Sequence, residues 1–147
     1  MNRSHADSIT AELKARGLRV TPQRHAIYTS LKARNDHPTA ELLLGDINQN
    51  FPTSSQATVY NSLQTLCDVG LVREVLLEHG VARYDANVQP HHHCICRCCG
   101  RISDLPWATF ESIDLSRISG AFRPESYEVT VQGLCDDCQP QAPGLPR

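Results

Sequence analysis

Ten residues, His91-His92-His93-Cys94-Ile95-Cys96-Arg97-Cys98-Cys99-Gly100, hold three of the chain's seven histidines and four of its seven cysteines. Neither solvation nor core packing calls for that density, whereas metal ligation does. Cys96 and Cys99 have the spacing at which two thiolates close on one zinc ion, and Gly100 suits the tight turn that aims backbone amides at sulfur. Cys135 and Cys138 repeat the spacing, so the four thiolates predict a closed, tetrahedral, structural Zn2+ site. His91 and His93 lie two apart and share one face of an extended strand. Imidazole nitrogen suits iron, manganese or zinc rather than calcium, and these two histidines need partners from elsewhere in the chain. His92 points to the opposite face, toward solvent or toward a role of its own, and Cys94 and Cys98 are given no part in either site.

The elements that position these residues are bounded by length and charge. A chain of 147 residues makes one domain or two small ones, with a core that a structural metal would reinforce. After the polar opening Met1 to Asp7 no run approaches the roughly 18 apolar residues needed to span a bilayer, so a cytoplasmic protein is expected. An odd cysteine count with four at ligand spacing favours reduced, metal-holding thiols over disulfides. The net charge of −2 argues against a generic polyanion binder. Its distribution is uneven, however: Lys14, Arg16, Arg19, Arg24, Lys32 and Arg34 fall in an acid-free stretch, while residues 51 to 67 carry no charge.

Ile9 and Leu13 mark a first helix from about Ser4 to Arg16, ended by Gly17. Thr21-Pro22 reads as N-cap and first helical residue of a second helix, with Ile27 and Leu31 buried and an end near Asn35. Past the corner His37-Pro38, Thr39 caps a third helix with Leu43, Leu44 and Ile47 inward, ended by Pro52. Ser54-Ser55 caps a fourth, in which Val59, Leu63 and Leu66 follow helical spacing. The opposite face of that helix, Gln56, Thr58, Tyr60, Asn61 and Gln64, carries uncharged groups of the kind that read base edges in a major groove. Lys14, Arg16, Arg19 and Arg24 would anchor phosphates.

Strands over residues 71–77 and 81–85, joined through Glu78-His79-Gly80, complete a winged-helix DNA-binding domain at residues 1–85. A hinge at 86–90 leads to a second α/β unit at 91–138: a strand Ile102 to Leu105, a helix from Pro106 to about Ser119, and a last strand through Tyr127, Val129 and Val131. The fold class is thus α+β. With so little core the second unit is expected to pair with another copy, giving a homodimer whose two reading helices match a palindromic operator. Residues 139–147 read as a disordered tail.

Thr21-Pro22-Gln23-Arg24, Ala57-Thr58-Val59-Tyr60, His91-His92-His93 and the two Cys-x-x-Cys pairs, in that order, resemble the ferric uptake regulator family. The resemblance covers nearly the whole chain and implies a dimeric, metal-dependent DNA-binding repressor with an N-terminal winged helix and a C-terminal dimerisation domain. Within the family the chain looks like the peroxide-sensing branch. That likeness implies a regulatory Fe2+ or Mn2+ held by His37, Asp85, His91, His93 and Asp104, with His37 and His91 as the histidines oxidised by peroxide. Asp104, where iron sensors have glutamate, and Asn61, where they have arginine, point to this branch. Pro90 and Tyr127 replace histidines of a further iron-sensor site, although Glu111 falls at one of its positions. An iron- or zinc-level sensor of the same family is the alternative. A zinc hydrolase would need a His-x-Glu or His-Glu-x-x-His that the chain lacks, and a zinc-stapled interaction module would not require the reading face. Cys67 reads as a packing residue, and His5, His25 and His79 as ordinary surface or turn histidines.

Overall fold

The computed structural model describes residues 3–51, 54–76 and 80–139. The chain divides into two units, Met1–Val88 and Gln89–Arg147. Among the described residues the first contains four α-helices, α1 (Arg3–Ala15), α2 (Pro22–Ala33), α3 (Ala40–Asn48) and α4 (Gln56–Asp68), followed by strands β1 (Arg73–Leu76) and β2 (Ala82–Asp85). Each cap expected from the sequence is made: the side chains of Thr21, Thr39 and Ser55 accept from the backbone amides of Arg24, Leu42 and Thr58. Pro22 occupies the first helical position of α2, where no amide is needed. Gly17 and Gly70 take positive φ past the ends of α1 and α4, a backbone region glycine enters without a Cβ clash.

The apolar stripes of these helices meet in one core. Ile9 and Leu13 from α1, Ile27 and Leu31 from α2, Leu43 and Ile47 from α3, and Val59, Leu63 and Leu66 from α4 are buried together with Leu71, Val72 and Tyr84 of the hairpin. Each large side chain of this set contributes about 1.5–3 kcal/mol by leaving water. β1 and β2 pair antiparallel with Arg73 opposite Asp85. Of the expected turn Glu78-His79-Gly80 only Gly80 is described, with φ 69°, and of the expected tail 139–147 only Gln139; the stop at Pro52 lies outside the described residues.

The second unit is a three-stranded sheet of β3 (His92–Cys96), β4 (Ile102–Leu105) and β5 (Thr130–Gly133) in the order β4-β3-β5. β4 runs antiparallel to β3, whereas β5 runs parallel to it. The helix expected from Pro106 to Ser119 is not formed; short 3-10 turns at Trp107–Phe110 and Leu115–Arg117 replace it. The reason is local. Trp107, Phe110 and Ile113 recur every third residue, the 3-10 rather than the α period. Asp114 also accepts from the Ser116 amide at 3.0 Å, drawing the backbone into a turn. The last strand starts at Thr130, so Tyr127 and Val129 precede it. Among the described residues no helix is long and apolar enough to cross a membrane.

Candidate metal centre

The four cysteines converge because of strand pairing. Cys96 ends β3 and pairs with Gly133 of β5, which places Cys135 just beyond the same end of the sheet. Gly100, at φ 75°, closes the first knuckle by donating its amide to the Cys96 carbonyl at 2.8 Å. The second knuckle closes through the Cys138 amide on the Cys135 carbonyl at 2.9 Å. One Sγ from each of Cys96, Cys99, Cys135 and Cys138 lies within 4.8 Å of the others. Zinc–sulfur bonds of about 2.3 Å in a tetrahedron separate the sulfurs by about 3.8 Å; Cys99 Sγ and Cys135 Sγ are 3.7 Å apart. Backbone amides of Cys99 and Cys135 aimed at Cys96 hold its thiol down at about 6, favouring the thiolate that zinc requires. These residues fit structural zinc. Cys98 is exposed, and Cys94, on the other side of β3 from His93, lines a cleft with Ser103 and Val131. Cys67 packs against the core of the first unit, where burial pushes its thiol up to about 11.

The histidine–carboxylate donors come in two sets, one in each unit. In the first unit His37 stands before Pro38 with φ 52°, a left-handed backbone uncommon for a residue with a Cβ. Arg83 holds it there, donating to the His37 carbonyl at 3.2 Å, while the Tyr84 amide donates to the Pro38 carbonyl at 3.0 Å. Pinning the corner to β2 sets the His37 ring against Asp85 at the strand's end, with Nε2 3.1 Å from Oδ2.

In the second unit His93 sits directly opposite Asp104 across β3 and β4. His91, two residues earlier, brings its ring 4.6 Å from that of His93, centroid to centroid. Asp104 Oδ1 lies 3.4 Å from His91 Nε2 and 3.7 Å from His93 Nε2. Donors roughly 2.0–2.2 Å from a six-coordinate cation lie about 3 Å apart when adjacent, so both sets have nearly the spacing of coligands. Their mixed nitrogen and oxygen chemistry fits Fe2+ or Mn2+.

Hydrogen bonding sets the tautomers. His91 Nδ1 lies 2.6 Å from the Gln89 carbonyl, which can only accept, and His93 Nδ1 lies 2.8 Å from a Glu128 carboxylate oxygen. Both rings therefore carry a proton on Nδ1, so that the neutral imidazole has Nε2 as its ligand atom. His92 is reversed: its Nδ1 accepts from the Val129 amide at 3.0 Å. Of the two readings of His92, solvated or with a role of its own, the solvated one is excluded, because the ring is fully buried and stacked 4.7 Å from Trp107, with Tyr127 and Phe110 beside it. Its proton-bearing Nε2 has no ligand character, and the aromatic side chains 107, 110 and 127 occupy that face of the sheet.

On α4, Gln56, Tyr60, Asn61 and Gln64 are exposed, and Thr58 is half-buried with its hydroxyl 3.0 Å from that of Ser55. Gln64 donates to Asp68 at 2.8 Å. Lys14 and Arg19 are exposed. Arg16 and Arg24 have structural partners, donating at 2.6 Å to the carbonyls of Val69 and Arg19. Sequence reasoning missed Glu128, Arg83 and Trp107. An acid between Tyr127 and Val129 in an alternating stretch was the one available signal for Glu128.

Helices α2 to α4 with a following hairpin, joined to a sheet unit rich in thiolate and imidazole donors, define a winged-helix protein with a metal-holding second unit. The ferric uptake regulator family model matches residues 15–132, and the chain belongs to that family. It is 37% identical over 134 residues to the "Peroxide-responsive repressor PerR" of Staphylococcus saprophyticus, covering 90% of each chain. Among solved structures it is similar to the Campylobacter jejuni peroxide stress regulator, at 27% identity and TM-score 0.66, covering 94% of this chain and 100% of that one. The Helicobacter pylori ferric uptake regulator shares the fold at TM-score 0.75 and 22% identity, covering 91% and 93%.

Proposed function

We propose that this chain is a homodimeric, metal-dependent repressor that binds a palindromic operator and releases it on exposure to hydrogen peroxide. The observation that carries the reading is the arrangement of the imidazoles: His91 and His93 both engage Nδ1 in a hydrogen bond and turn Nε2 toward Asp104, which puts two nitrogens and a carboxylate at nearly the spacing of ligands to one cation. The names of the peroxide-responsive relatives support the choice of stimulus.

In this reading His37 and Asp85 join His91, His93 and Asp104 around one ferrous or manganous ion. Ferrous iron bound there would catalyse cleavage of the peroxide O–O bond, one oxygen going to an imidazole ring, whose oxidation supplies the two electrons, and the other leaving as water. His37 and His91 are the side chains that gain oxygen, as 2-oxo-histidine. An oxidised imidazole is a poorer ligand, so the two sets of donors separate and the pair of α4 helices loses its match to the operator. Lys14, Arg16, Arg19 and Arg24 contact phosphates, while Gln56, Thr58, Tyr60, Asn61 and Gln64 face the bases. The modification is stoichiometric, which makes the protein a regulator rather than an enzyme.

The test reconstitutes zinc-loaded protein anaerobically with Fe2+ or Mn2+, adds one equivalent of peroxide, and measures peptide masses beside operator binding. A one-oxygen gain on the His37 or His91 peptide with iron only, together with loss of binding, is the expected result. Unmodified histidines in a protein whose DNA binding still follows metal would make it a metal-level sensor.

A further inference from the structure

We infer that Glu128 is a positioning residue for the metal site, holding His93 as its permanent ligand while His91 is left the more weakly donating one. The inference rests on the proposed assignment of His93 and Asp104 as metal ligands. Both imidazoles are tied through Nδ1, but to partners of different charge: His91 to the neutral Gln89 carbonyl at 2.6 Å, His93 to the Glu128 carboxylate at 2.8 Å. A carboxylate accepting the Nδ1 proton pulls it away from the ring, enriches Nε2 and fixes the ring plane, which strengthens the bond Nε2 makes to a cation. A carbonyl fixes the plane with less electronic effect.

The geometry around Glu128 suits this role. The His93 amide donates to the Val129 carbonyl at 3.1 Å, so the chain segment carrying Glu128 is registered against the same residue that its side chain holds. The His93 side chain is fully enclosed, which protects the bond from water, whereas Glu128 is 33% exposed, so its truncation opens no interior void. The consequence is an unequal pair. His93 is the stronger donor to the metal and His91 the weaker.

The experiment uses the full-length, zinc-loaded protein and two variants, Glu128→Ala and Glu128→Gln, titrated with Mn2+ by electron paramagnetic resonance of the free ion. Co2+ serves as a parallel absorption probe of the ligand field. Outer carboxylates of this kind change metal affinity by roughly 10–100-fold. Glu128→Ala is expected to weaken Mn2+ binding by such a factor and shift the Co2+ ligand-field bands. Glu128→Gln, whose amide oxygen still accepts from Nδ1, recovers part of the loss. Bound zinc and the melting midpoint stay at wild-type values in both.

Glu128→Ala binding Mn2+ as tightly as wild type, while His93→Ala and Asp104→Ala abolish binding, would remove Glu128 from the site and leave the site itself intact. Equal weakening in the Ala and Gln variants overturns orientation through the hydrogen bond. Wild-type binding in His93→Ala and Asp104→Ala overturns the site reading along with the inference.

Discussion

In the first unit the enclosed side chains are chiefly those of Ile9, Leu13, Ile27, Leu31, Leu43, Leu63 and Leu66, with His37, Ser62 and Asp85 the buried polar ones, whereas in the second they are chiefly Ile95, Ile102, Cys96, Cys138 and three consecutive histidines. One unit excludes water mainly with hydrocarbon. The other encloses groups that prefer water or metal, and burying them costs free energy unless each finds a partner. A sheet of three short strands cannot build a hydrophobic core large enough to offset its ordering, so a cation has to supply what apolar area does not.

That contrast is broken most severely by removing a thiolate. Cys135→Ser should lose the structural zinc, whose apparent binding free energy in small zinc domains is about 10–16 kcal/mol, comparable to the whole stability of a domain. Trp107 is the chain's one tryptophan and belongs to the second unit. Its emission should therefore shift to the red while far-ultraviolet circular dichroism keeps the signal of α1 to α4. A retained blue emission in zinc-free protein would show that the second unit needs no metal to fold.

The converse is Leu63→Ala. Deleting a fully buried leucine from the helical core should cost about 2–5 kcal/mol. The helix melt should move down while zinc content and tryptophan emission at room temperature stay unchanged. Next comes Asp104→Asn, which should weaken Mn2+ binding by more than about 100-fold, beyond the roughly 10–100-fold of an outer-sphere change, with structural zinc unaffected. Equilibrium dialysis against both metals separates the two effects. Thr21→Ala should be mildest. Losing the side-chain acceptor of the Arg24 amide costs about 1 kcal/mol, seen as a drop of a few degrees in the helix melt.

The parts of the fold legible in the sequence are those fixed by neighbours in the chain. Thr21, Thr39 and Ser55 cap as expected because a cap involves residues three apart, and the knuckles form as expected for the same reason. The helix expected after Pro106 failed because its apolar residues are equally compatible with a three-residue period and because serine and aspartate side chains compete for the backbone. Of the candidate metal residues, His91 and His93 could be placed on one face from strand alternation alone. Glu128 could not be foreseen, because its meeting with His93 depends on β5 lying parallel to β3, a pairing across more than thirty residues that no local pattern encodes. The left-handed backbone at His37 was equally hidden, since it is imposed by Arg83 and Tyr84 on a distant strand.

The parallel pairing of β3 with β5 also sets a timetable. The first unit has all of its residues once Val88 has been made, but the zinc site needs Cys138, about 50 residues later, a delay of a few seconds at ribosomal speeds of roughly 5–20 residues per second. Cys94, Cys96, Cys98 and Cys99 are made in the first part of that interval and stay without their closing knuckle until Cys138 follows. The same oxidant proposed to switch the finished protein would meet thiols not yet closed on zinc, so copies made under peroxide stress would be the hardest to complete.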